Sequence, residues 1–531
     1  MLTRTPDVPA VLPLLVGTGW HARDRRLRLA MFAAWLILAG WLASRHVMWR
    51  DEVRALSLAL AGDTPWAMLR AVHGEGHPAL WYLLLRGAHA LVGKAALPAL
   101  AFVIGASAAA LFAWRAPFRP LVIGLVLFGA YTLHEYTVLA RNYGIAMLLM
   151  FVFAWAYPRW RGRGIGLGVL LALLSNTNAP SVLLAGALGL FWGVETLSRD
   201  GWRWTPAWRQ WAINMAVAAL GVIACVAEVY PPYNDAAVSP LAGRMGVGTL
   251  LLAAFNITVP LSALLPEMWW DVPLSMLLLA AMVVGSVLGL IRSPGGLVAG
   301  LFAMIALPLF FQVVYPGGYR HQALFVVLLL TLYWLVAGGH GGQWQRAAVL
   351  RPETQSLLKR FGQGALLALL LTQVATSIGL IAATVRGVPF SRSRDLADLL
   401  HRERLDRAVV IANPDVLLEP LPYYADHPQW IVREKKWGHV IAFTKAAAVP
   451  LRLRDMLNTA RQLHIDTGRP VVIVMQLRLD QQPLAEHWQQ GYLGELYTPP
   501  ADVRAFTAAT RRLARFDPAR TDEYYDVYLL R

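Results

Sequence analysis

The stretch HPALWYLLLRGAHALV (residues 77–92) is apolar enough to be taken for a membrane span, and the topology of the chain turns on whether it is one. It is 16 residues long and carries Arg86 and His89, whereas a helix needs ~17–25 apolar residues to cross a bilayer. Counted as a span, it throws the basic loops that follow it to the wrong side. Read as a helix lying in the interface, with Trp81 and Tyr82 at headgroup depth, it keeps those loops together. Arg115 and Arg119, Arg159, Arg161 and Arg163, Arg199, Arg203 and Arg209, Arg292, and the Arg346–Arg360 group then share the side of the N-terminus. Counting the charges at span ends, that side holds 18 basic and 5 acidic residues, and the opposite side holds 9 of each. The positive-inside rule therefore predicts a cytoplasmic N-terminus.

Composition agrees with a membrane protein. The chain has 531 residues, 57% of them hydrophobic and 15% charged, against about 25% charged for soluble domains. About eleven spans are predicted, near 29–46, 97–114, 120–137, 142–157, 165–180, 181–197, 211–229, 272–291, 296–314, 322–338 and 364–385. Residues 1–28 form a cytoplasmic N-terminus. The run after Arg23, Arg25, Arg26 and Arg28 lacks a small-residue cleavage site and reads as a retained span. Segment 53–72 is amphipathic and joins 77–92 as a second interfacial helix within a first outer loop at 47–96. The run 247–265, broken by Asn256, Thr258 and Pro260, is expected to be re-entrant or to lie on the surface.

The net charge of +16 does not indicate nucleic acid, because no basic cluster interleaves with aromatics. Only Cys225 is present, so no disulfide and no Cys/His metal cluster is expected. From Arg386 the character changes. "SRDLADLLHRERL" (393–405) and "AVVIAN" (408–413), then "RLRDMLNTARQLHI" (452–465) and "PVVIVM" (470–475), then a helix at 501–515 and "YYDVYLL" (524–530) predict a small α/β domain with a partly parallel sheet at 386–531, outside the membrane. It carries no phosphate loop or catalytic signature.

The first span is followed at once by HVMWRDEVRAL (46–56), which sets Arg50, Asp51, Glu52 and Arg54 within five positions. Charges at span ends are usually solvated, and the plain reading is a span stop paired with its own arginines. The interfacial segments that follow would instead build a shelf beside the carboxylates, open to lipid on one side and water on the other. An Asp-Glu pair there, with two interfacial helices of which the second opens on HPALWY, resembles the GT-C glycosyltransferases. Within that class the chain is most similar to the family of protein O-mannosyltransferases and lipid A aminoarabinose transferases. VLARNYGIAMLL (138–149), with Arg141 and Tyr143, and GGYRHQALFVVLLL (317–330) extend the resemblance over roughly residues 29–340. Two positions depart from the pattern. Ala79 stands for a second proline, and Leu139 and Ala140 replace an acidic residue, with Glu135 one helical turn earlier as the substitute.

The resemblance implies a membrane α-helical GT-C-like catalytic domain over 29–385. It implies inverting transfer of a sugar from a polyprenyl-phosphate-linked donor to a lipid, glycan or protein acceptor on the outer face of the cell membrane. A lipid phosphate leaves as a stable anion, so one carboxylate is enough to deprotonate the acceptor, and cations must hold the phosphate. Asp51 is then the general base, with Glu52 orienting the acceptor or helping to hold a divalent metal. Arg320 is the candidate phosphate clamp, Arg141 a second cation, and His77, Tyr143, Tyr319, His321 and Glu135 are further substrate-binding candidates. No metal ligand set is expected. The alternative class is a lipid or solute transporter or flippase, which would carry ionisable groups at mid-depth and an internal repeat. A non-enzymatic assembly protein is a third.

Overall fold

A computed structural model describes residues 12, 14–17, 22–239, 246, 259–266, 269, 274–343, 351–481 and 483–531. Fourteen helices make up its first part among the described residues: α1 (Ala22–Arg45), α2 (Arg50–Ala59), α3 (Pro65–Val72), α4 (Leu80–Val92), α5 (Ala96–Arg115), α6 (Pro120–Leu127), α7 (Tyr143–Trp160), α8 (Gly166–Ser175), α9 (Ser181–Asp200), α10 (Pro206–Val229), α11 (Ser275–Leu288), α12 (Pro294–Val313), α13 (Tyr319–Ala337) and α14 (Pro352–Val385). Polar caps and prolines start several of them. Thr64 accepts from the Ala67 N–H before Pro65, and Ser293 accepts from the Gly296 N–H before Pro294.

Seven helical stretches are long and apolar enough to cross a membrane. The other four expected spans are present as helices that fall short of that measure: α6, α7, α8 and α11. Two of them, α8 and α11, are 10 and 14 residues long. α6 stops after 8 residues and a π-turn (Tyr131–Glu135) follows it, while α7 ends in Tyr157, Pro158, Arg159 and Trp160. α13 is apolar all round and is the most enclosed, with 89% of its span window buried against 22% for α1 and α10. Helices approach closely where they carry glycine. A Cβ on Gly362 of α14 would lie 2.3 Å from Gly289 at the end of α11.

Residues 80–92 of segment 77–92 are α4, which belongs to the helical stretch Leu80–Arg115 counted among the seven but is set off from α5 within it. Gly93 breaks the helix at φ 62 and a short 3-10 turn follows. Leu85 then shares a core with Met68 of α3 and Leu97 and Ala101 of α5. Most of the run 247–265 lies outside the described residues; Val259–Leu264 is 3-10 helix.

The tail is an α/β domain. Its strands are β1 (Val409–Asn413), β2 (Trp430–Ile431), β3 (Lys436–Trp437), β4 (Leu451–Arg452), β5 (Val471–Met475), β6 (His487–Gln489), β7 (Glu495–Tyr497), β8 (Thr510–Phe516) and β9 (Tyr525–Leu530). The main sheet has order β1-β5-β9-β8, with β1 and β5 parallel and the other pairs antiparallel. β1 and β5 are buried at every position, as expected for strands covered on both faces. Helix α15 (Ser393–Arg402) packs on one face. α16 (Leu453–Thr467), which follows a single helical turn at Leu421–Tyr424, packs on the other face with α17 (Pro500–Ala509). The helix expected at 501–515 therefore ends at Ala509. Residues 510–516 form an edge strand, because pairing with β9 and the ion pairs of Arg515 with Asp526 and Asp480 outweigh local helix propensity.

The domain is fastened to α2. Arg54, buried, is ion-paired with Glu75 at 2.7 Å and with Glu419 of the tail, and it donates to the Ile441 carbonyl at 2.9 Å. Arg50 makes a forked contact with Asp522 at 2.5 and 3.0 Å, and its N–H donates to Glu523 at 2.9 Å. Burial pushes the Glu419 carboxyl up to about 7 against the pull of Arg54. Arg54→Ala strands two buried carboxylates and is expected to cost about 3–5 kcal/mol. Glu419 then protonates more readily in the folded state than in the unfolded one, so the deficit is smaller at about pH 5 than at about pH 8. Thermal unfolding and limited proteolysis of the tail at the two pH values check this, and an unchanged melting temperature contradicts it.

Candidate functional site

Residues of an α-helix are about 100° apart around its axis, so the charges that open α2 must face different ways. Arg50 and Arg54, four positions apart, share the face that meets the tail. Glu52 points almost opposite to Arg54 and into the fold, where it is fully buried. Its Oε2 accepts the Trp49 N–H at 3.1 Å and lies 2.8 Å from His46 Nε2, and its Oε1 accepts the Ala140 N–H at 2.6 Å. Three donors thus offset the desolvation of one carboxylate. Glu52 caps its own helix and ties it to the turn before α7, with no oxygen left over for a metal or an acceptor.

Asp51 lies between these faces and keeps 35% of its side chain exposed. Arg320 Nη1 is 3.5 Å from its Oδ2 and Arg50 Nε is 4.0 Å from its Oδ1. Burial alone would raise its pKa, but Arg141, Arg320 and Arg50 together outweigh it and hold the carboxyl below its usual range.

The turn 136–142 supplies the opposite wall, and two glycines let it sit there. A Cβ on Gly105 of α5 would lie 2.7 Å from the Tyr136 carbonyl, and one on Gly144 of α7 2.5 Å from the same oxygen. From this turn Arg141 donates to the backbone carbonyl of Asp51 and, at 3.2 Å, to His77 Nε2. Burial, and then Arg141 alongside, pushes the His77 pKa down to about 3. A neutral His77 therefore acts as acceptor at Nε2. Tyr143 OH is 2.7 Å from His321 Nε2, and His321 Nδ1 accepts the Gly318 N–H at 3.1 Å. With Nδ1 accepting, a neutral His321 carries its proton on Nε2 and donates to Tyr143, leaving the tyrosine proton for another partner.

Arg320 stands at the head of α13. Besides Asp51 it has Glu135 Oε2 3.7 Å from its Nε, its own carbonyl accepts from Tyr136 OH at 2.7 Å, and its guanidinium lies 5.0 Å from the centre of the Trp49 ring. Arg50 lies 5.2 Å from that same ring. Trp49 thus spaces two cations about Asp51, although by sequence it reads as one of several belt tryptophans. Tyr319 is turned away, its hydroxyl donating to Gln373 of α14 at 2.6 Å. The arrangement therefore gathers Asp51, Arg320, Arg141, His77, Tyr143, His321 and Glu135, adds Trp49, Arg50 and Tyr136, and turns Glu52 and Tyr319 to structural contacts. Among the described residues no three His, Cys, Asp or Glu side chains converge as a metal site.

Among solved structures, the chain is similar to two crystal structures of ArnT from Cupriavidus metallidurans, one in the apo state and one bound to undecaprenyl phosphate. Each covers 94% of this chain and 97% of its own, at 15% identity and a TM-score of 0.47. No family model matches the sequence, and no curated protein does.

The two adjacent carboxylates should separate in a stability experiment. Glu52→Ala leaves the Trp49 and Ala140 amides buried without an acceptor and is expected to cost about 3–5 kcal/mol. Asp51→Asn should cost about 1 kcal/mol or less, because a half-open carboxylate keeps part of its hydration and its contacts with Arg320 and Arg50 are long. Equal losses in the two variants contradict the division of roles.

Proposed function

We propose that this chain is an inverting glycosyltransferase that moves a sugar from a polyprenyl-phosphate-linked donor to an acceptor at the outer face of the membrane. The observation that carries the reading is the half-open Asp51 carboxylate held 3.5 Å from the Arg320 guanidinium where α2 and α13 begin. The excess of arginine on the N-terminal side of the spans supports an orientation with this cleft and the tail outside the cell membrane.

The chemistry follows from the charges. The donor phosphate takes hydrogen bonds from Arg320, which prefers the oxygens of phosphate to a single 3.5 Å contact with Asp51. With Arg320 neutralised by phosphate, one of the influences lowering the Asp51 pKa is cancelled and the carboxylate becomes a stronger base. Asp51 then removes the proton from the acceptor hydroxyl as its oxygen attacks the anomeric carbon from the face opposite the phosphate. The bond from that carbon to the phosphate oxygen breaks, and its electron pair stays on the lipid phosphate held by Arg320. No second acid is required, unlike glycoside hydrolysis, because the leaving group needs no proton. Arg141 and neutral His77 fix the helix start that carries Asp51, while Tyr143, oriented by His321, offers a proton to sugar or phosphate. Glu135 sets Arg320 from the far side. Glu52 is a positioning residue.

Asp51→Asn is expected to abolish transfer while keeping donor binding, and Arg320→Ala to weaken donor binding about 10-fold or more, as loss of a charge-assisted contact does. Transfer by Asp51→Asn at the normal rate contradicts the assignment, as does unchanged donor affinity in Arg320→Ala. The pH profile separates the base from its neighbours. A base with a lowered pKa stays ionised as the pH falls, so kcat/KM for the free enzyme should hold down to about pH 4–5. His77, pushed down to about 3, stays neutral across that range. An acidic limb near pH 6.5 would point to histidine instead.

A further inference from the structure

We propose that the end of the bundle remote from Asp51 carries a binding site for the phosphate headgroup of an anionic phospholipid, formed by Arg159, Arg163 and Arg199. The 18 residues of α7 lead from Tyr143 to Trp160, a rise of ~27 Å and close to the thickness of a bilayer core. At that far end a cavity of about 460 Å³ opens between α7, α9 and the start of α10, lined by four arginines and by Trp192 and Ala207.

The charges in this cavity do not cancel. Glu195 is buried and already served: it accepts from Tyr157 OH at 2.5 Å, pairs with Arg161, and has His340 Nδ1 at 3.6 Å. Arg161 is consumed by that contact. Arg199 pairs with Asp200 Oδ1 at 2.9 Å through its Nε alone, and Asp200 Oδ2 takes the Thr205 hydroxyl at 2.5 Å, so the two terminal nitrogens of Arg199 have no carboxylate partner among the described residues. Among the described residues neither Arg159 nor Arg163 has a carboxylate partner. Arg159 has only the Trp155 ring 5.6 Å away and a long 3.4 Å contact to the Trp155 carbonyl. Two uncompensated guanidinium groups and a half-paired third around one cavity are complementary to phosphate oxygens.

The lipid, not free phosphate, is the source that fits, because the cavity lies at the level of an interface. Trp202 and Trp204, in the turn that leads into α10, whose Ala207 lines the cavity, are 86% and 73% exposed, and Trp202 stacks on Trp208. Exposed indoles of this kind belong at headgroup depth, and basic pockets between spans at that depth take anionic headgroups. A headgroup fits the cavity volume and its acyl chains would lie outside, along the bundle. No residue of the Asp51 cleft takes part, so the site stands or falls independently of the transfer chemistry.

The test uses the full-length protein in phosphatidylcholine vesicles with and without one-fifth phosphatidylglycerol. Native mass spectrometry reads the retained lipid, and thermal unfolding reads its effect. Wild type should retain phosphatidylglycerol in preference to phosphatidylcholine and melt higher in its presence. An Arg159→Gln/Arg163→Gln variant should bind it roughly 30-fold more weakly, or roughly 5-fold per arginine removed. Arg163→Gln alone, at an exposed turn position, serves if the double variant folds poorly. Retention unchanged in either variant overturns the site. So does equal stabilisation by phosphatidylcholine or by inorganic phosphate at the same concentration.

Discussion

Everything at the cleft depends on one buried carboxylate. Glu52 gives up water for the Trp49 and Ala140 amides and His46, and in doing so fixes both the start of α2 and its rotation against the turn before α7. Once Glu52 faces inward, helical geometry leaves Asp51 no choice but the neighbouring face, where Arg320 and Arg141 converge. The opposite rotation would bury Asp51 and expose Glu52. The adjacency of the two acids is therefore a device for orientation, since the pair acts at two separate places.

The same rotation recruits the tail. Arg50 and Arg54 meet Asp522, Glu523 and Glu419, and Ser393 adds a hydrogen bond to the Met48 carbonyl at 2.9 Å. A soluble-looking α/β domain is thus attached through buried charges to the helix that bears Asp51. Buried pairs of this kind contribute little net energy but are costly to break one partner at a time. They specify a docking geometry, and through it the rotation of α2.

Much of the fold could be read from the chain. Span runs and the alternation of "AVVIAN" and "PVVIVM" with helical segments each carry a clear period or length. The meeting of Arg320 and Arg141 with Asp51 was legible only through the resemblance to the GT-C glycosyltransferases, helped for Arg320 by its place at the end of a span. What escaped the sequence was rotational detail. Glu52 looks like a solvated charge unless its spacing three residues after Trp49 is taken as a capping signal, and Arg50 and Arg54 look like span flanks unless their i, i+4 spacing is read as a face. Tyr319 sits one residue before Arg320 yet faces α14, since about 100° of helix separates neighbours. Residues 510–516 contain good helix formers, and the pairing with β9 together with the ion pairs of Arg515 makes them a strand.

The most direct measurement is a structure of the full-length protein with a polyprenyl phosphate bound. The account predicts the phosphate within hydrogen-bond distance of the Arg320 guanidinium, the Asp51 carboxylate released from that arginine and facing open space beside it, and Glu52 still locked to the Ala140 amide. A phosphate seated away from Arg320, or an Asp51 carboxylate closed off from the bound lipid, would contradict it.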